Sequence, residues 1–161
     1  MAKWTSKPPL GTPTIRSWRN DPKYQVLWLP FQEGGGGTAY DLSGNRNHGI
    51  LTDMASPPTA ISGWGGQGLN FDGVDDYVDV GNITAVDSVS QLTISGWVKR
   101  NSGYGALFFK NAGSTVNWIE VAWHSLVGLV FIPATTAAYA NMAIPTGTDW
   151  KLITCVFDGT Q

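Results

Sequence analysis

Cysteine, histidine and glutamate are scarce in this 161-residue chain, and each scarcity removes a class of chemistry. The single cysteine, Cys155, excludes an intrachain disulfide. It sits in the apolar run "LITCVF" and reads as a small buried hydrophobe. A zinc site draws three or four ligands from His, Cys and carboxylates. With two histidines and one cysteine, His48 reads instead as a loop packing residue. No G-x-S-x-G nucleophile elbow occurs. The glycine run "EGGGGTAY" lacks the G-K-[ST] ending of a phosphate-gripping loop. Long apolar runs are missing too, and none approaches the ~20 residues of a helical membrane span. The N-terminus has no apolar segment of the kind a secretory signal needs. Charge is sparse at 14%, with a net of −2, so no bulk field draws the chain to nucleic acid or anionic lipid. Apolar content of 42% argues against disorder.

What is present points to strands. Twenty glycines, nine prolines and many Thr, Ser and Asn punctuate short apolar segments. Strand-like runs are read at 24–31, 49–53, 69–73, 77–80, 91–100, 106–110, 116–123, 126–132 and 150–158. The run 91–100 alternates cleanly, with Leu92, Ile94, Gly96 and Val98 on one face. Thr93, Ser95, Trp97 and Lys99 take the other. The expected fold class is all-β, an antiparallel sandwich or jelly roll.

Residues 1–22 form a separate region. Residues 1–23 carry five basic side chains against Asp21, a net of +4, and the remaining residues carry −6. Pro8, Pro9, Pro13 and Pro22 forbid a regular helix or central strand there. An extended arm of ~20 residues spans about 65 Å. It is either a solvated tail or an arm that laces onto a neighbouring subunit, with Trp4 and Trp18 as anchors.

Two loops hold candidate metal ligands. "NFDGVDDYVDV" (70–80) concentrates Asp72, Asp75, Asp76 and Asp79. Asp72-Gly73 is a strong turn dipeptide, and the segment reads as a hairpin between Leu69/Phe71 and Val78/Val80. Its spacing is not that of an EF-hand loop. Its aspartates either tie the turn or ligate a metal. "YDLSGNRNHG" (40–49) offers Asp41, Ser43, Asn45 and Asn47, with Glu33 upstream. Hard cations such as Ca²⁺ take oxygens from loops of this kind. The alternative is a network of Asx-turns without metal. The metal candidates are therefore Glu33, Asp41, Asn45, Asn47, Asp75 and Asp76.

Four segments in succession carry a resemblance. "LWLPFQEGGGGTAYDLSGNRNHGILTD", "GLNFDGVDDYVDVG", "QLTISGWVKR" and "WKLITCVFDGTQ" resemble, in order and spacing, the signatures of laminin G-like, concanavalin A-like jelly-roll domains. The resemblance covers residues 24–161 and implies two antiparallel sheets, one of them concave. It implies carbohydrate or protein binding, often with a structural calcium. Such domains usually continue past the D-G turn, so C-terminal strands of the sandwich are expected to be missing or supplied by a neighbour.

Glycosidases of related fold place two acids close together through an E-x-D-x-E strand. Glu33 and Glu120 provide no such triplet, so no enzyme is expected. The leading expectation is a non-catalytic binding or adhesion module for a glycan or cell-surface ligand. Trp64, Trp97, Tyr104, Trp118 and Trp123 are the candidate stacking residues, each with a core role as its alternative. The other expectation is a virion structural protein, a phage capsid-decoration or tail component assembled through residues 1–22. Either would act outside cells or on a virion surface.

Overall fold

The computed structural model describes residues 24–54, 60–63, 66–87, 89–100, 105–111, 118–124, 128–132, 140–142 and 148–158. The chain is all-β. Its strands are β1 (Thr38–Ala39), β2 (Gly49–Thr52), β3 (Ala60–Gly63), β4 (Gly66–Leu69), β5 (Tyr77–Asp79) and β6 (Leu92–Val98). After them come β7 (Gly105–Asn111), β8 (Trp118–His124), β9 (Gly128–Ile132), β10 (Ala140–Met142) and β11 (Lys151–Phe157). A short 3-10 turn, Thr84–Val86, lies between β5 and β6. Among the described residues no helix is long and apolar enough to cross a membrane. The expected arm, residues 1–22, lies outside the described residues.

Among the described residues every pairing is antiparallel, in four sheets ordered β1-β2-β5, β10-β9-β8-β7, β6-β11 and β3-β4. The β6–β11 ladder runs seven residues without a break, from Leu92↔Phe157 to Val98↔Lys151. Its burial follows the period of two read from the sequence. Leu92, Ile94, Gly96 and Val98 are half-buried, whereas Thr93, Ser95 and Trp97 are exposed.

The core gathers Ile119, Val121 and Trp123 of β8, Ile153 and Cys155 of β11, and Ile83 and Val86 around the 3-10 turn. Leu92, Ile94, Val98, Leu107 and Phe108 pack against it. A bulge between Ala106 and Phe108 makes this possible. A bulge breaks strict alternation, so the consecutive Leu107 and Phe108 both reach the core. Burying a side chain the size of Ile119 or Val121, both fully buried, contributes roughly 1.5–3 kcal/mol.

Two expected strands are placed differently. Residues 24–30 form no strand, because their backbone is held by side chains of the 41–47 loop. The 69–80 hairpin is not a paired one. β4 pairs with β3 and β5 pairs with β2, so the turn after Asp72 carries the chain from one sheet to another.

Candidate functional site

The "DLSGNRN" loop is built around one carboxylate. Asp41 is buried, and its Oδ1 accepts the amides of Trp28 and Ser43, both at 2.9 Å. Its Oδ2 accepts the Ser43 hydroxyl at 2.8 Å and the Asn47 amide at 2.9 Å. Gly44 has φ +98°, a conformation glycine adopts without strain. Asn45 and Asn47 turn their Nδ2 groups outward to the Gln25 and Val26 carbonyls at 2.9–3.2 Å. The loop thereby grips residues 25–28. Burial by itself would raise the Asp41 pKa. The Ser43 and Trp28 amides, the Ser43 hydroxyl and the Asn47 amide outweigh it and hold the carboxyl below its ordinary value.

As arranged, the Asp41 carboxylate does not present a lone pair to a calcium ion. Calcium needs six to eight oxygen lone pairs aimed at one point. Both Asp41 oxygens face N–H or O–H donors, and the two asparagines spend amide protons on main-chain carbonyls. Glu33 is engaged similarly, with Oε1 taking the Tyr40 amide at 2.8 Å. Of the six candidate ligands, Asp41, Asn45 and Asn47 do converge, on the main chain of residues 25–28.

Asp75 and Asp76 join Asp72 at the 72–76 turn, their carboxylate oxygens within 4.8 Å of one another. Asp72 Oδ1 accepts the Val74 amide at 2.8 Å, and Asp76 Oδ2 accepts the Asp72 amide at 2.7 Å. Turn-tying thus occupies two of the three carboxylates. Three such groups fall short of a full calcium shell.

The five aromatic candidates separate clearly. Trp64 and Tyr104 lie outside the described residues, as does the side chain of Trp118 on β8. Trp123 is buried in the core, 8% exposed. Trp97 is 42% exposed on the outer face of the β6–β11 sheet, directly opposite Leu152. Thr93, Ser95, Thr154 and Val156 complete that face, all exposed, with Ser95 Oγ 2.9 Å from Thr154 Oγ1. It is an amphipathic strip about 13 Å long, with an indole at one end and hydroxyls along it.

A second aromatic face lies on the β1-β2-β5 sheet. Thr38, Ile50 and Asp79 are in line across it, and Thr52 pairs with Tyr77. Tyr40 packs edge-on against His48, ring centroids 5.4 Å apart. Tyr40, Ile50 and Tyr77 are each about half exposed. Tyr40 and Tyr77 were not among the sequence candidates, although Tyr77 stands between Asp76 and Val78 in an alternating strand.

Compared with protein-family models, curated proteins and solved structures, the chain matches none.

Proposed function

We propose that the chain is a non-catalytic carbohydrate-binding module of the laminin G-like, concanavalin A-like jelly-roll type. Its β6-β11 and β7-to-β10 sheets would form the two layers. The observation that supports binding is the exposed Trp97 ring beside the Thr93–Ser95–Thr154 hydroxyls. An indole face packs on the C–H surface of a sugar, and hydroxyls nearby fix its orientation. The fold type rests on the four ordered motifs and on a core that lies between β6/β11 and β7/β8. The module would act outside cells or on a virion surface.

A glycan array probed with the full chain and with Trp97→Ala tests this. Wild type is expected to give hits that the variant loses while its melting temperature stays near wild type. A silent array, or hits that Trp97→Ala retains, overturns the Trp97 platform.

A second reading, a virion component assembled through residues 1–22, is favoured by the charge partition of +4 in residues 1–23 against −6 in the rest. Exposed Leu152 and Val156 offer a neighbour apolar surface. Light scattering before and after deletion of residues 1–22 checks it, and an unchanged mass rejects it.

A further inference from the structure

The segment between β5 and the 3-10 turn runs alongside β7, and an open cleft of about 450 Å³ lies there. Val80, Ile83 and Phe108 supply apolar walls, and Asn82 and Lys110 supply polar groups. The Lys110 side chain is only 10% exposed. Its Nζ donates to Asn82 Oδ1 at 2.6 Å and lies 2.9 Å from Asp87 Oδ1. An ammonium group has three N–H donors, and one of them is given to Asn82 as a hydrogen bond. The Asn82 carbonyl is engaged by lysine, which leaves both Asn82 Nδ2 protons unspent on an exposed residue. The ion pair with Asp87 cancels the lysine's charge locally.

A clasp between the 82–87 segment and β7 accounts for both Lys110 contacts. It does not account for an adjoining cleft of ligand size, or for unspent donors converging beside apolar walls. Small-molecule sites combine such features: a few convergent polar groups in a mostly apolar concavity of ~300–1,000 Å³.

We propose that this cleft is a subsite for one neutral pyranose unit. The inference rests on the carbohydrate-binding reading and adds to it a second place, built from residues 80–83 and 108–110, and a ligand class. Lys110 and Asn82 donate to adjacent sugar hydroxyls. Val80 and Phe108 pack on the ring's C–H face. The neutralised lysine gives an acidic sugar no advantage over a neutral one. A pyranose of about a dozen heavy atoms binding alone is expected near millimolar Kd.

Amide NMR on the full ¹⁵N-labelled chain tests this, using the methyl glycosides of glucose, galactose and mannose and a methyl glucuronide. The Asn82 side-chain amide and the Gly81 and Phe108–Lys110 backbone amides are expected to shift saturably with at least one neutral glycoside. Asn82→Ala is expected to weaken that binding roughly three- to tenfold, the worth of one or two hydrogen bonds. The same spectra report whether the variant is folded, and Asn82 is exposed, so truncation leaves the core intact. Lys110→Met provides a second removal of donors.

Shifts at the Trp97 indole without saturable shifts at the cleft reject the cleft and leave the platform. Shifts at the cleft without the indole do the reverse. Silence at both rejects both. Glucuronide binding more than about tenfold tighter than every neutral glycoside overturns the ligand class.

Discussion

Removing the Asp41 carboxylate provides the sharpest test of how the 41–47 loop is held. In Asp41→Ala the Ser43 hydroxyl turns fully to the Val26 carbonyl, which it already approaches at 3.3 Å. Three amides, those of Trp28, Ser43 and Asn47, lose their acceptor. The Ser43 amide is buried, and a buried orphan donor costs about 1–3 kcal/mol. Trp28 and Asn47 are half-buried, so water partly replaces the carboxylate there. The sum is about 4 kcal/mol at neutral pH. Asp41→Asn keeps one oxygen for two amides. Its new NH₂ is best tolerated towards Ser43, whose hydroxyl can accept, so one amide is orphaned and the loss is about 2 kcal/mol. Folded domains have about 5–15 kcal/mol in hand, so both variants stay folded at 25 °C. Urea denaturation followed by tryptophan fluorescence measures the difference, provided m is unchanged. A loss below about 1 kcal/mol for Asp41→Ala refutes the network as the loop's support. So does a loss that disappears in EDTA, which would mean that a cation, not the amides, was the carboxylate's partner.

Three other outcomes follow. The folded-state pKa of Asp41 is depressed, so its contribution is fully present above the unfolded value of about 3.9 and is lost as pH falls through the folded value. The stability gap between wild type and Asp41→Asn should therefore narrow in denaturation curves at pH 3 relative to pH 7, and an equal gap refutes it. Gly49 is buried, and a Cβ there would run into Val78 Cγ1 and lie 3.3 Å from Val80 Cγ1. Gly49→Ala should cost about 1–3 kcal/mol and be partly rescued by Val78→Ala, which a melting-temperature comparison of the single and double variants checks. Burial pushes the Cys155 thiol pKa up, so a disulfide reagent should modify it only as fast as the sheet opens and immediately in denaturant; rapid modification of the native protein contradicts its place in the core.

Period-two patterning was legible wherever one face of a strand is buried. Residues 91–100 announced β6 because their apolar positions alternate against one core, whereas 150–158 announced β11 only as a continuous apolar run, with Leu152 and Val156 on the exposed face. The partner of each strand was not legible. "GLNFDGVDDYVDV" looks local, yet β5 pairs with β2, since a turn dipeptide fixes a reversal and not the sheet that receives the outgoing strand. Residues 24–31 have strand composition, but the carbonyls of Gln25 and Val26 are satisfied by Asn45 and Asn47 side chains and not by a neighbouring strand. Composition cannot distinguish those two ways of satisfying a backbone. The "DLSGNRN" loop was seen as a knot of polar groups. Whether its oxygens faced a cation or amide protons depended on Trp28, thirteen residues upstream of Asp41. Trp97 and Trp123 are chemically alike; what separates them is β6's exposed outer face and β8's place in the core.

The β6–β11 ladder also bears on how the chain is made. Val98 meets Lys151 and Leu92 meets Phe157, so the partners are separated by 53 and 65 residues. At about 5–20 residues per second of synthesis, β6 waits on the order of 3–13 s for its partner to emerge. Throughout that interval Leu92, Ile94 and Val98 have no strand beside them, and an unpaired apolar strand is a template for the wrong neighbour. Slow, long-range closure of this sort makes the yield of native protein sensitive to expression temperature and chain concentration. The seven residues of β11 complete the ladder that β6 began.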